Sequence, residues 1–248
     1  MKVTIITPTY NSEKFIANAI NSVMNQSYIN WEYLIIDDCS NDKTVLLVSE
    51  FVKKDNRIKL IQQSVNQGAA VARNEGIKRA DGKYIAFLDS DDYWHVDKLK
   101  IQIEAMENEN LNFTFTDYYI KYENKNDALR FNSPLKNVYY KDIIKFNYIA
   151  CSTVMFNQEA LGKSYMPNIR NRQDWGLWIN LVQKNKRAVN INKYLMYYTI
   201  RKDSISSNKF KMIKYHWYIY KSYLKFNYVK ALNYLIRNII FHMKNKRR

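Results

Sequence analysis

Apolar residues in the first part of the chain come as short continuous runs separated by stretches with helical spacing. Val3 to Thr7, Trp31 to Ile36, Ile58 to Ile61 and Tyr84 to Leu88 have the length and the β-branched or aromatic content of buried strands. Between them, Phe15, Ile16, Ala19, Ile20 and Val23 recur at steps of three and four, the inward face of a helix with Ser12 placed as its N-cap. Ser40-Asn41-Asp42 opens a second helix carrying Val45, Val48, Phe51 and Val52, and Ala69 to Arg79 forms a third. Strand and helix alternate, which predicts an α/β fold with a parallel sheet flanked by helices. The pattern continues with a helix over Val96 to Glu109 and a strand over Phe113 to Tyr119. A polar loop over Lys121 to Ser133, a strand over Ile149 to Phe156 and a helix led by Asn171-Arg172-Gln173-Asp174 follow.

In an open sheet of this kind, ligands bind at the carboxyl ends of the strands. The polar residues after the strands are Thr7 to Asn11, Asp37-Asp38 and Asp89-Ser90-Asp91-Asp92. Side chains alternate along a strand, so Asp89 and Asp91 share a side if the extended geometry persists. Two adjacent carboxylates repel, and a hard divalent cation such as Mn²⁺ or Mg²⁺ relieves that cost and in turn can hold a diphosphate. The competing role for Asp91 or Asp92 is to cap the next helix, and for Asp174 to cap the helix it precedes. No Gly-x-Gly-x-x-Gly and no Walker loop is present, which disfavours the usual dinucleotide and P-loop sites.

Composition adds a partner surface. The chain has 248 residues, 47% of them hydrophobic, enough for one large domain or two small ones. No stretch approaches the ~20 uninterrupted apolar residues of a membrane span. No signal-peptide core follows Met1, so a cytoplasmic location is expected. Cys39 and Cys151 form neither a disulfide framework nor a zinc pattern. Net charge is +16, and residues 201–248 hold 13 Lys or Arg against one acid, Asp203, a net of +12. A basic tail on a nearly neutral body calls for an anionic partner. Residues 209–243 lack Pro and Gly. Lys214, Lys221 and Lys225 share one helical stripe; Lys230, Arg237 and Lys244 share another. The two stripes are roughly 160° apart on one straight helix, so two helices are expected, broken near Phe226-Asn227-Tyr228. Trp217, Tyr220, Tyr223, Leu224, Leu235, Ile239 and Phe241 supply their apolar face. Such helices suit an anionic membrane surface, or pack on the domain with a solvated basic face. The organisation expected is residues 1–205 as one domain, with halves 1–92 and 93–205, and 206–248 as a basic amphipathic tail.

Five blocks together resemble glycosyltransferase family 2, the inverting, nucleotide-sugar-dependent enzymes of the GT-A fold. They are Ile6 to Asn11, Ser22 to Tyr28, Trp31 to Ser40, Gly68 to Gly76 and Phe87 to Asp92. The resemblance is strong over residues 1–110 and weaker over 150–205. It implies that Thr7, Pro8, Tyr10 and Asn11 line the base and ribose and that Asp38 accepts from the base ring N–H. It puts Arg73 near the diphosphate, Asp89 at the ribose or metal, and Asp91 on the metal as main protein ligand. Asp174 is implied as the catalytic base, with Gln173 where the family commonly has Glu. Arg201 or Lys202 would stand in for the Arg that usually follows the Tyr before Thr199. The implied reaction moves a sugar, from a UDP-sugar on family frequency, to a glycan or lipid-linked acceptor. Its setting is bacterial surface polysaccharide synthesis (O-antigen, capsule or lipooligosaccharide), peripheral to the inner face of the cytoplasmic membrane. Two other classes fit less. A non-enzymatic nucleic-acid binder using the tail leaves the acidic crevice unexplained. A nucleotidyltransferase would carry a basic, Gly-rich loop where Thr7 to Asn11 stands.

Overall fold

A computed structural model of the chain describes residues 1–123, 127–200 and 209–245. The four apolar runs form β1 (Val3–Thr9), β2 (Trp31–Asp37), β3 (Ile58–Gln62) and β4 (Tyr84–Phe87). Helices α1 (Ile16–Met24), α2 (Thr44–Lys54) and α3 (Ala69–Arg79) connect them. After β4 come β5 (Tyr93–Trp94), α4 (Lys98–Asn108), β6 (Phe113–Tyr122), β7 (Ala128–Phe131), β8 (Asn137–Tyr139) and α5 (Tyr140–Ile143). The chain continues through β9 (Met155–Asn157), α6 (Gln158–Leu161), α7 (Gln173–Asn185), β10 (Arg187–Ile200), α8 (Lys209–Tyr218) and α9 (Tyr228–Asn245).

Among the described residues all the strands join one sheet in the order β3-β2-β1-β4-β9-β6-β10-β5, with β7 beside β6 and β8 beside β10. β1, β2, β3 and β4 pair in parallel. β9 runs antiparallel to both β4 and β6, and β10 runs parallel to β6. So β6 and β10 point the same way as β1 to β4, and the carboxyl ends of all six lie along one edge. Because β9 is reversed, the segment entering it lies at that same edge. The connections from β1 lead to β2 on one side and from β3 to β4 on the other. The switch point between β1 and β4 is the place where open α/β sheets bind ligands, and the crevice is the carboxyl edge there.

Alternation along the strands feeds two cores. Ile6, Phe87, Phe113 and Phe115 pack with Trp175, Trp178 and Leu181 of α7 on one face. Ile5, Tyr33 and Leu88 pack with Ile16 and Ile20 of α1 and Leu99 and Ile103 of α4 on the other. Ile219, Tyr220, Ala231 and Leu235, from the segments after β10, belong to the first core. Close packing of α3 on β1 depends on Gly76, where an added Cβ would come within 2.5 Å of the Ile6 side chain. That approach holds Arg73, one turn earlier, against the sheet edge.

The local departures from the sequence pattern have long-range causes. Ser12 does not cap α1. Its hydroxyl meets Ser90 Oγ at 2.9 Å, and its carbonyl accepts from Phe15 and Ile16. The segment before α4 is held extended by β10, since Trp94 pairs with Met196 and the His95 N–H donates to the Leu195 carbonyl. The helix therefore begins at Lys98 rather than Val96. Ile149 to Phe156 is not one strand: Cys151–Thr153 is a 3₁₀ turn, and only the residues from Met155 pair. The polar loop after β6 contains β7, which pairs back on Tyr118 to Lys121. α8 runs into a π-helical turn, Ile219–Tyr223, and α9 starts at Tyr228.

Candidate functional site

The crevice is framed by backbone struts at the ends of β1, β2 and β4. The Thr7 hydroxyl donates to the Leu88 carbonyl at 2.6 Å and meets the Tyr33 hydroxyl at 2.8 Å. Thr7 is fully buried, and Pro8 is also buried, so these two side chains shape the edge from within. Tyr10 and Asn11 stand exposed at the lip. Asn11 has a left-handed backbone (φ 47°) and ties the β1 loop to the β2 loop. Its N–H donates to Ser40 Oγ and its side-chain oxygen accepts from the Asn41 N–H, both at 2.9 Å.

The two aspartates that end β2 both hold loops. Asp37 accepts from the Ser40 N–H at 3.0 Å and the Ser40 hydroxyl at 2.5 Å. Asp38 is buried and accepts from the N–H groups of Gln67 and Gly68 at 2.8 and 2.7 Å. Gly68 sits at φ +91°, a conformation that favours glycine, and immediately precedes α3. Asp38 thereby sets where α3 begins. Each carboxylate oxygen has a second lone pair, so these bonds leave acceptor capacity toward a base N–H.

Arg73 reaches from α3 to the carboxylates after β4. It is 5% exposed, and its Nη2 donates to Asp89 Oδ1 at 2.5 Å. Its Nε and Nη1 are buried with no hydrogen-bond partner. Burial works against the charge, but Asp89, with Asp174 and Cys151 nearby, outweighs it and raises the guanidinium's pKa. A guanidinium held charged and buried with two unmet donors is a strong attractor for an anion.

The carboxylates after β4 do different things. Asp89 shares its carboxylate with Arg73, and its N–H donates to Ser152 Oγ at 3.0 Å. Asp92 is not a helix cap. It is 2% exposed; one oxygen accepts from the Ser152 hydroxyl at 2.6 Å and the other from the Thr199 N–H at 3.0 Å. Burial raises its pKa well above the usual carboxylate range, and the charges of Asp91 and Asp89 add to that. Among the described residues no three His, Cys, Asp or Glu side chains converge as a ready-made metal cage. One or two carboxylates completed by phosphate oxygens and water are the ordinary Mg²⁺ or Mn²⁺ arrangement, and Asp91 and Asp89 fit it. A cation there also offsets the crowding of negative charge that Asp92 feels.

Asp174 stands across the crevice. It lies in the first turn of α7, but the N-cap position belongs to Arg172, at φ 64°, so Asp174 is not the cap. Its Oδ2 accepts from Asn147 Nδ2 at 3.0 Å. Its charge is felt by Arg73, Cys151 and Tyr198, which places it in the same cluster as Asp89 and Asp92. Burial and these carboxylates push the Tyr198 hydroxyl up to about 12, and burial pushes the Cys151 thiol up as well. Four residues of this cluster had no sequence signal as site residues: Asn147, Cys151, Ser152 and Tyr198. They arrive through the reversed β9 and through β10, which only long-range pairing reveals. Arg201 and Lys202, the stand-ins expected after Thr199, lie outside the described residues.

With this geometry in hand, the likenesses to known proteins carry weight. The family model described as "Glycosyl transferase family 2" matches residues 4–163. TuaG of Bacillus subtilis, named a putative teichuronic acid biosynthesis glycosyltransferase, is 40% identical over 229 residues, covering 92% of this chain and 91% of the relative. WfgD of Escherichia coli, named a UDP-Glc:α-D-GlcNAc-diphosphoundecaprenol β-1,3-glucosyltransferase, is 38% identical over 243 residues, 98% of this chain and 94% of the relative. S. aureus TarS (residues 1–349), solved in complex with UDP-GlcNAc, superposes with a TM-score of 0.73 at 23% identity over 96% of this chain and 72% of that one. At that identity the likeness shows a shared fold.

Proposed function

We propose a function on one premise: the chain belongs to glycosyltransferase family 2. It transfers a sugar from a nucleoside-diphosphate sugar, UDP-linked, to a hydroxyl of a glycan on a lipid-diphosphate acceptor. The product feeds assembly of a bacterial surface polysaccharide. Relatives named for teichuronic acid synthesis and for glucosyl transfer to a diphosphoundecaprenol-linked sugar support that acceptor class. Work on a lipid-linked acceptor sets the protein at the inner face of the cytoplasmic membrane. Peripheral association is part of this proposal; among the described residues no helix is long and apolar enough to cross a membrane.

Arg73 is the observation that carries this reading. Its Nε and Nη1 are buried without a protein partner beside Asp89 and Asp174, an anion-seeking pair of donors that the diphosphate of a donor would satisfy. Tyr10 and Asn11 at the lip, with Asp38 behind, bind base and ribose. Asp91, with Asp89, would hold Mn²⁺ or Mg²⁺, which supplies charge stabilisation to the departing diphosphate. Asp89 orients Arg73 through their ion pair. Asp174 accepts the proton of the acceptor hydroxyl as its oxygen attacks the anomeric carbon on the face opposite the leaving group, and configuration inverts. Asn147 keeps the Asp174 carboxylate aimed. Tyr198, its hydroxyl pushed up to about 12, stands near the carboxylates without adding charge.

Thermal unfolding with a panel of nucleotides and nucleotide-sugars, with and without Mn²⁺, tests the proposal. Binding to the folded state alone raises Tm by mass action. The expected result is a metal-dependent rise with UDP and one UDP-sugar that is lost in Arg73→Ala. Two charge-assisted bonds predict a loss of about 100-fold in donor affinity. Equal shifts in wild type and Arg73→Ala would overturn the assignment of the diphosphate site.

A further inference from the structure

Nothing in the crevice chemistry explains the outer face of α9. Advancing ~100° per residue, this helix presents two opposite apolar faces. On one, Ala231, Leu235 and Asn238 are buried and Tyr234 packs on the rings of Tyr220 and Phe226. Asn238 Nδ2 donates to the Lys145 carbonyl at 2.7 Å, which fixes the helix to the segment after α5. On the other, Val229, Leu232, Ile236 and Ile240 fall within an arc of roughly 80°. They are 79, 50, 48 and 45% exposed. A helix that only packs on its own domain needs the first face and not the second.

Charge decides what covers the exposed stripe. Val229, Leu232, Asn233, Ile236 and Arg237 line a shallow groove along it, and Lys230, exposed with its Nζ 4.0 Å from the Phe226 ring centre, lies on the same flank of the helix as Arg237. Residues 209–248 contain no Asp or Glu. A second copy would bring one cationic face against another. A nucleic acid offers phosphate to the cations but nothing to a bare aliphatic stripe. An anionic bilayer satisfies both parts. We propose that α9 lies in the plane of an anionic membrane surface. Val229, Leu232, Ile236 and Ile240 sit at the acyl boundary, and Lys230 and Arg237 reach the headgroup phosphates.

The anchoring of α9 gives this surface a bearing on the site, a point that rests on the proposed function. Asn238 binds Lys145, and Asn147, two residues on, holds Asp174. One helix diameter plus two residues of chain is on the order of 20 Å. The membrane face and the catalytic carboxylate are therefore close enough for one lipid-linked acceptor to touch both.

Vesicle flotation of the full chain, without nucleotide, tests the membrane face independently of the transferase reading. Phosphatidylcholine vesicles with and without phosphatidylglycerol are the probes. Wild type is expected to float with the anionic vesicles, and Val229→Asp/Ile236→Asp to bind about tenfold more weakly or worse. Lys230→Gln/Arg237→Gln should weaken binding about fivefold per charge removed. If the double Asp variant melts early, Val229→Ser/Leu232→Ser reads the same loss with a milder change. Wild type that stays unbound, or variants that float as well as wild type, would overturn the proposal. So would a variant that turns a dimer into a monomer while vesicle binding is unchanged. The donor-induced Tm shift, measured in the same variants without vesicles, should match wild type. Its loss in wild type would count against the function and leave this surface standing.

Discussion

In the proposed function, Arg73 and Asn147 divide the work of the site between donor binding and aim of the base. Arg73→Lys keeps the charge but replaces a planar fork with a point charge, so it cannot meet Asp89 and a diphosphate together. The expected outcome is partial loss of donor affinity, about tenfold, between wild type and Arg73→Ala, read from nucleotide titration. Asn147 touches neither donor nor acceptor in this scheme; it donates to Asp174 and accepts from the Ile149 N–H. It is a positioning residue. Asn147→Ala should lower kcat about tenfold with donor KM nearly unchanged, since misaiming a base affects the proton transfer and not nucleotide binding. A variant that raises donor KM and leaves kcat intact would argue for a structural role instead. Asp174→Asn, which keeps the acceptor for Asn147 but removes the basic oxygen, should abolish turnover in the same assay with donor binding retained.

Between elements, the carboxyl edge is held by Asp92, which joins the end of β4 to the turn before β9 through Ser152 and to β10 through Thr199. Asp92→Ala leaves the Thr199 N–H and the Ser152 hydroxyl without that acceptor, a loss of roughly 1–3 kcal/mol per unmet buried group. Urea unfolding should show that loss, and the nucleotide-induced Tm shift should shrink as well, because the same turn positions Asp89. This staple was not legible in the sequence. Strand ends were legible because an apolar run that stops in Asp37-Asp38 or Asp89 to Asp92 announces both the strand and its ligand edge. The partners across the edge depend on β9 being antiparallel and on β10 holding the segment before Lys98 extended, so that the helix expected from Val96 starts two residues later. Local pattern carries neither fact. α4 holds a second effect of burial. Lys98 is fully buried, bonded to Gln102 Oε1 at 2.6 Å and 4.1 Å from the Trp94 ring centre, and burial drives its pKa well below the usual lysine value. The unfolded chain then binds a proton that the folded chain has released, over the window between the depressed folded pKa and the ordinary value near 10.4. Stability therefore rises with pH across that window. Relative to Lys98→Met, wild type should gain stability steadily as urea midpoints are taken from neutral toward alkaline pH. A parallel pair of curves would contradict the buried, depressed lysine.

The whole molecule poses the question of whether the basic tail is an appendage or part of the body. Sequence pattern divides the chain at about residue 205, where charge density changes. Packing argues for a single cooperative unit. Trp175 is fully buried, and its covering includes His216 at 5.2 Å and Tyr220 at 5.7 Å between ring centres. The Tyr220 hydroxyl donates to the Ile144 carbonyl at 2.9 Å, and Ile219, Ala231 and Leu235 complete the same core. Gly176 on α7 already sits where an added Cβ would approach Pro167 within 2.5 Å, so the helix has little freedom to close over a gap. A chain ending at residue 208 should expose this wall. Losing three large buried side chains removes roughly 5 kcal/mol of burial, which for a chain of this size lowers Tm by at least about 10 °C. Differential scanning calorimetry of the truncated and full chains gives the comparison, with Tyr220→Ala as the single-residue version. Unchanged Tm and unfolding enthalpy in the truncated chain would mean that residues 1–208 fold as an independent domain. A broad or absent transition would mean that α8 and α9 complete the catalytic body. In that case the face that α9 turns outward is held rigidly relative to Asp174, which is what the proposed membrane face requires.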